Sequence, residues 1–228
     1  MGAGRLDARD ERPHDGAAAE EWVFTTWLAD GSLGVVSGYR RNTVGGGWYW
    51  AAVARSGHRL LHVTEWHVPT RPDPLLVKAH GLWAEHVCDS PMEQWTVSNE
   101  TYAVALDDPE DALGRAFGQP SAVACDLEWY ATARPSAAPD GYAQDGVVHG
   151  IVELTGGAVE LAETPARRWH RWGGSLGPIV LPDAYAHTGV RAPFAFPDGA
   201  VADWVLTPDG WRARAPAPSH RRVPGPSS

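Results

Sequence analysis

Short segments in which apolar and polar residues alternate run through most of the chain, and Gly, Pro and Asp residues separate them. Strict alternation is typical of a half-buried β-strand, because successive side chains point to opposite faces of a sheet. The first such segment, EWVFTTWLA, places Trp22, Phe24, Thr26 and Leu28 on one face. About ten segments of this kind, joined mostly by short turns, predict an antiparallel barrel or two packed β-halves.

One short helix is predicted within this all-β pattern, in the segment LDDPEDALGRAFGQP. Asp108 is suited to cap its first turn, and Pro109 falls at the first helical position. Gly118 and Pro120 are expected to end it.

The two ends of the chain lack this periodicity. Residues 1–20, rich in Ala, Gly, Arg and Asp, are expected to form a disordered arm, and the Pro- and Ser-rich residues 212–228 a disordered tail. A single β-rich domain is expected between them, over residues 21–211. The sequence leaves open whether this domain consists of two halves.

Charge and composition exclude several classes of protein. A net charge of −9 argues against a partner such as nucleic acid, whose phosphates require a basic face. Cys88 and Cys125 are too few for a disulfide framework, which favours a reducing compartment. No apolar segment resembles a secretory signal or a membrane span. A cytoplasmic protein is therefore expected; the sequence leaves its oligomeric state open.

The segment HVTEWHV contains candidate metal ligands. Alternation puts Glu65 and His67 on one face of the strand and His62 on the other. A third ligand would have to come from another strand, with His80, Glu85 and His86 as candidates. Without a compact ligand motif, we interpret these residues as polar strand positions and predict neither a metal nor a cofactor.

Two carboxylates are candidate general acids. Glu100 shares a strand face with Tyr102, while Trp95 lies on the opposite face of the same segment. Glu128 lies beside Trp129 in the segment CDLEWYA. If buried, either carboxyl could act as a general acid; an exposed polar face is an equally good interpretation.

The run RRWHRWG is the most unusual segment. As a strand, it places Arg168, His170 and Trp172 on one face and Arg167, Trp169 and Arg171 on the other. From the pattern alone, a ladder of cation–π contacts with neighbouring aromatic residues is the favoured interpretation. The alternative, a pocket-lining strand whose arginines are mostly structural, becomes the preferred one with the resemblance described next.

The segment GYAQDGVVHGIVEL followed by RRWHRWG resembles a motif pair of the lipocalin-like superfamily of carotenoid 1,2-hydratases and cycloaddition cyclases. His170, Trp172 and Gly173 fall on matching positions.

Upstream, GLWAEHVCDSPMEQWTV is similar to the strand–turn–strand pattern of the same group, matched by Glu85, Pro91, Glu93 and Trp95. The resemblance covers roughly residues 75–175 as scattered positions, and it implies a lipocalin- or calycin-like barrel.

The resemblance also implies a hydrophobic ligand, such as an isoprenoid, a steroid-like or a polyketide-like molecule, and cofactor-independent hydration, cyclisation or isomerisation. His170 would be the acid or base, with Glu100 or Glu128 as its partner. The expected ligand-binding residues are Trp172, Arg168, Trp95, Trp129, Tyr102 and Glu85.

This chain departs from the family pattern at two positions. Trp169 stands where the family has an aspartate, and Arg171 where it has Asn or Ser. Loss of the acid favours a non-catalytic ligand-binding protein. A third hypothesis, a structural or partner-binding β-domain, predicts an interior filled by the protein's own Trp side chains.

Overall fold

The computed structural model describes residues 6–44, 46–69, 71–73, 75–174, 176–177, 179 and 189–214. These residues form antiparallel β-strands and two short 3₁₀ helices, with no α-helix among them, which confirms the all-β prediction. The strands are β1 (Ala19–Trp27), β2 (Leu33–Asn42), β3 (Gly47–Arg55), β4 (Leu60–Val68), β5 (Leu76–Ala79), β6 (Leu82–Ser90), β7 (Gln94–Leu106), β8 (Gln119–Ala131), β9 (Ser136–Ala138), β10 (Gly141–Leu154), β11 (Gly157–Gly173), β12 (Arg191–Ala195), β13 (Val201–Thr207) and β14 (Gly210–Ala213).

The large sheet closes into a ring. Following its hydrogen bonds leads from β1 through β2, β3, β4, β7, β8, β10 and β11 back to β1. The closing contact between β4 and β7 is short, running from Leu60 opposite Leu106 to His62 opposite Val104. The hairpin of β5 and β6 pairs with the other part of β7, and β9 pairs with β10. Closure gives every ring strand one inner and one outer face.

Alternating side chains fill the inside of the ring. Trp22 and Phe24 of β1 point inward, as the alternation predicts, and they meet Trp95 of β7 and Trp129 of β8 in a buried core. A void of about 10 Å³ remains beside Phe24 and Trp129. That volume is about the minimum that one water molecule needs. The ring interior is therefore packed by the protein's own aromatic side chains.

A second core lies on the outer face of the ring. Strands β12, β13 and β14 form a small sheet that covers it. Trp204 and Trp211 of this sheet are buried in the same cluster as Trp50 and Trp169 of the ring. The Trp211 Nε1 donates a hydrogen bond to the carbonyl of Thr26 at 3.1 Å. The buried tryptophans are thus divided between the two cores.

Replacing Gly38 with alanine tests this outer packing. An added Cβ would lie 2.2 Å from the indole of Trp50, so the ring must shift. We expect the free energy of unfolding to fall by about 1–3 kcal/mol, as for other overpacked cores. Gly156→Ala is the matched control, since nothing lies within 4 Å of its Cβ position. Equal urea midpoints for the two variants would contradict the close packing.

The predicted short helix is instead a 3₁₀ helix, Pro109–Leu113. Asp108 caps it as predicted, accepting a hydrogen bond from the backbone N–H of Glu110 at 3.0 Å. It ends at Gly114 and not at Gly118. Gly118 already approaches β7, because a Cβ there would lie 2.2 Å from the carbonyl oxygen of Ala105. The excursion is therefore shorter than the sequence suggested.

Residues 6–20 of the N-terminal arm are among the described residues. Its residues Ala8–Glu11 form the other 3₁₀ helix, capped by Asp7, and the side chain of Glu11 is buried. Strand β1 begins at Ala19 and β14 ends at Ala213. Residues 1–5 and 215–228 of the predicted arm and tail lie outside the described residues.

No helix among the described residues is long and apolar enough to span a membrane. Cys88 and Cys125 are both free thiols. Burial raises the pKa of Cys125 to about 12 and that of Cys88 to about 11. Both thiols are therefore protonated near neutral pH, which makes them weak nucleophiles.

Candidate functional site

Strand β11 presents side chains to both faces of the ring in the alternation that the sequence predicts. Arg168 and His170 point inward, opposite Phe24 and Trp22 of β1. Trp169, between them, packs in the outer core. Both inward residues are fully buried. The RRWHRWG run thus contributes two fully buried polar groups to the ring interior.

The two outward arginines of this run make ion pairs. Arg167 contacts Asp145 at 2.6 Å on the exposed surface. Arg171 and Arg40 bind opposite oxygens of the buried Glu21, at 2.5 and 2.6 Å. These contacts join β1, β2, β10 and β11, so they hold neighbouring strands together.

Arg168 is surrounded by polar partners at the arm-covered end of the ring, in a group that we call the Arg168 cluster (Glu11, Tyr142, Gln144, Arg168). Its guanidinium donates to both oxygens of Glu11, at 2.5 and 3.0 Å, and to the Gln144 Oε1 at 2.6 Å. The Tyr142 hydroxyl donates to Glu11 at 2.6 Å. Such a bidentate contact between Arg and a carboxylate has a well-defined geometry.

Aromatic rings enclose the same guanidinium. Its central carbon lies 5.4 Å from the ring centre of Trp95 and 4.9 Å from that of Trp129, distances typical of cation–π contacts. Burial opposes ionisation of Glu11, but the hydrogen bonds from Arg168 and Tyr142 outweigh it and lower the pKa of the carboxyl. Burial also raises the pKa of Tyr142. The cluster therefore holds an ionised carboxylate, a guanidinium and a neutral phenol.

A second group, the His170 triad (His14, Glu20, His170), lies next to this cluster. One oxygen of Glu20, Oε1, is 2.8 Å from the His14 Nδ1 and 2.9 Å from the His170 Nε2. Its other oxygen accepts a hydrogen bond from Arg41 at 2.7 Å. His14 stacks on Trp172, with ring centres 3.8 Å apart. The triad thus joins the arm to β1 and β11.

Burial and hydrogen bonding set the charges of the triad. Burial opposes ionisation of Glu20, but hydrogen bonds from His170 and His14 outweigh it and lower the pKa of the carboxyl. Burial lowers the pKa of His170, although Glu20 partly offsets this. Near neutral pH the site therefore contains an ionised Glu20 beside a neutral His170.

Several polar atoms inside the ring have no hydrogen-bond partner among the described residues. They are buried donors and acceptors that point into the same core: Trp22 Nε1, Trp95 Nε1, Trp129 Nε1, His86 Nδ1 and Asn99 Oδ1. An unpaired buried polar group costs about 1–3 kcal/mol, so such groups are uncommon without a function, a water or a ligand.

The structure does not bring the two predicted acids to His170. Glu100 and Glu128 are exposed on the outer face of the ring, because Trp95 and Trp129 take the inward positions of the same strands. The Tyr130 hydroxyl donates to Glu128 at 2.8 Å. Neither exposed carboxylate contacts the buried His170 in the part of the chain that is described; Glu20 is the carboxylate that does.

The predicted ligand-binding residues fall into two groups. Arg168 lies with Trp95 and Trp129, and Trp172 lies 5.0 Å from His170 between ring centres. Tyr102 and Glu85 lie apart from them. The Tyr102 side chain is 70% exposed, and it lines a shallow outer groove of about 610 Å³ with Glu100 and Trp83.

The candidate metal ligands His62, His67 and His86 lie in different environments and do not come together. His62 is buried under the small sheet, with its Nε2 3.0 Å from the Pro193 carbonyl oxygen. His67 is exposed, and its backbone N–H donates to Glu65. His86 is inside the ring, 3.0 Å from the Ser37 hydroxyl.

Sequence reasoning missed Glu11, His14 and Glu20. Extending the alternation of β1 by one step would have placed Glu20 on the same face as Trp22 and Phe24. Nothing local marks Glu11, because its partner Arg168 is 157 residues away in β11. His14 contacts Glu20, only 6 residues away, but that contact forms because Glu20 is held on β1 and His14 stacks on Trp172 of β11.

Comparison with known proteins assigns no family. No protein-family profile and no curated protein matches the chain. A solved structure from Nitrosomonas europaea, with the provisional designation AttH, is similar at 14% identity and a TM-score of 0.35. The match covers 93% of this chain and 73% of that one. A similarity of this size assigns neither a fold nor a function.

Proposed function

We propose that the ring binds a hydrophobic small molecule among its tryptophans, with a polar group of that molecule accepting hydrogen bonds. The unpartnered indole N–H groups of Trp22, Trp95 and Trp129 carry this proposal. An apolar ligand that has an oxygen acceptor would offer these donors a partner that the packed side chains do not. Isoprenoid, steroid-like and polyketide-like molecules combine these properties.

Entry of such a ligand requires a rearrangement. The void of about 10 Å³ is far below the roughly 300–1,000 Å³ of pockets for drug-sized ligands. We expect the N-terminal arm to move away when a ligand enters, because Glu11 and His14 cover the end of the ring at Arg168 and His170. Ring strands are fixed on both sides by hydrogen bonds, whereas Glu11 and His14 of the arm are held to the ring through their side chains.

Binding without transformation is favoured over hydration, cyclisation or isomerisation. Protonation of a double bond needs an acid that faces the ligand. Glu11 and Glu20 both have lowered pKa values and are paired, so neither is a proton donor near neutral pH. Glu100 and Glu128 face away from the interior.

Titration with all-trans-retinol, a fluorescent isoprenoid, tests the proposal. Trp129→Phe removes one unpartnered donor and keeps an aromatic ring, so we expect about three- to tenfold weaker binding. Trp83→Phe, on the outer groove, is the matched control and should bind as the wild type does. Native mass spectrometry of the untreated protein checks for a co-purified ligand. Absence of saturable binding, or equal affinity in both variants, would contradict the proposal.

The second candidate is a structural or partner-binding β-domain. The filled interior favours it, since that hypothesis predicts a ring packed by the protein's own Trp side chains. The same titration distinguishes the two candidates. A structural domain binds no retinol and carries no ligand in native mass spectrometry.

A further inference from the structure

We propose that the His170 triad is a binding site for one divalent transition-metal ion. Its three potential ligand atoms, the His14 Nδ1, a Glu20 oxygen and the His170 Nε2, all lie within 4.8 Å of one another. Two imidazoles and a carboxylate form a common ligand set for zinc and for non-haem iron. The inference is independent of ligand binding inside the ring.

The spacing of these atoms suits an ion. Metal–ligand distances of about 2.0–2.2 Å place neighbouring ligand atoms about 3 Å apart when the angle between them is near 90°. The two nitrogens lie 2.8 and 2.9 Å from the Glu20 Oε1. The two nitrogens lie within 4.8 Å of each other, so movement of the partly exposed His14 would close the three atoms around one ion.

The hydrogen-bond partners of His170 point to the same conclusion. Its Nδ1 faces the Tyr142 hydroxyl at 3.4 Å, and its Nε2 faces Glu20. Because the hydroxyl donates its proton to Glu11, its oxygen only accepts: from the Arg168 Nη1 at 3.2 Å and, with its second lone pair, from Nδ1. A neutral imidazole has a single N–H for these two acceptors. A cation between Nε2 and Glu20 would bind the lone pair of Nε2 and an oxygen of the carboxylate. The single N–H of the imidazole is then on Nδ1 and donates to Tyr142.

Surrounding groups already orient the ligands. The Tyr142–Glu11 contact would fix the tautomer of His170, as outer partners do for metal-bound histidines. Trp22 stacks on His170, with ring centres 4.6 Å apart. Arg41 binds the second oxygen of Glu20, and its charge offsets that of the carboxylate. This offset is expected to weaken the affinity for a cation.

Access to the site is from the arm. The His14 side chain is 25% exposed, whereas those of Glu20 and His170 are 1% and 0% exposed. Three protein ligands leave coordination positions for water or another small ligand. The imidazoles favour Zn²⁺, Co²⁺, Ni²⁺ or Fe²⁺ over Mg²⁺ and Ca²⁺, which prefer oxygen ligands.

Titration of the full-length, untagged protein tests the site after treatment with a chelator. We expect one Co²⁺ per chain, seen as visible ligand-field absorption, and displacement of that ion by Zn²⁺. His14→Ala should weaken binding at least tenfold. Because His14 is partly exposed and lies outside the strands, this change should leave the ring folded.

Two further variants make the titration specific. His58→Ala removes an exposed histidine at a turn and should bind as the wild type does. His14→Asp supplies another ligand type and should recover part of the affinity lost in His14→Ala. No saturable uptake by the folded wild type, or equal affinity of His14→Ala and His58→Ala, would overturn the site and leave the triad as hydrogen bonds alone.

Discussion

Replacing Arg168 with methionine is expected to lower the free energy of unfolding by about 3–5 kcal/mol, because it leaves a buried carboxylate without its cation. The side chains of Arg168 and Glu11 are 1% and 2% exposed, so water cannot replace the lost contact. The change also removes the cation that contacts the rings of Trp95 and Trp129. Urea unfolding at neutral pH, followed by Trp fluorescence, measures the loss.

Arg167→Ala is the matched control, one residue away on the opposite face. Arg167 and its partner Asp145 are 35% and 51% exposed, and exposed ion pairs contribute at most about 1 kcal/mol. A double variant, Arg168→Met with Glu11→Gln, removes the uncompensated charge and should recover part of the stability. If Arg168→Met and Arg167→Ala cost the same, the Arg168 cluster does not stabilise the fold as we infer.

The part of the structure that follows from local pattern could be predicted. Alternation in EWVFTTWLA places Trp22 and Phe24 on one strand face, and alternation in RRWHRWG does the same for Arg168 and His170. In the structure all four side chains point into the ring. The reason is that strand periodicity depends only on the backbone. Which face is inside depends on pairing with other strands, so Glu100 looked as good a candidate for burial as its neighbours.

The candidate site could not be predicted because its partners are distant in sequence. Glu11 and Arg168 are 157 residues apart, and His170 is 150 residues from Glu20. The first twenty residues have a composition typical of disorder. Two of their carboxylates nevertheless have buried partners: Glu11 pairs with Arg168, and Glu20 contacts His170. Composition describes the average environment of a segment, whereas a single ion pair can order it.

A decrease in pH from 7 to 5 is expected to lower the free energy of unfolding by about 4 kcal/mol through two buried histidines. Burial lowers the pKa of His86 to about 3 and that of His62 to about 4, from an ordinary value of 6.5. Their stabilising contribution is therefore complete above pH 6.5 and is lost as the pH falls, since only the unfolded chain takes up protons. Each histidine contributes about 1.4 kcal/mol per pH unit below that value.

The surroundings of His86 make it the better of the two to test. Its Nε2 contacts the Ser37 hydroxyl, and Phe24 packs against its ring. His86→Leu should therefore remove about 2 kcal/mol of the stability lost between pH 7 and pH 5. Ser37→Ala is the matched control: it removes the hydrogen bond and lowers stability, but the buried imidazole remains and the pH dependence with it. An unchanged slope in His86→Leu would show that His86 takes up its proton without unfolding, and so that water reaches the inside of the ring.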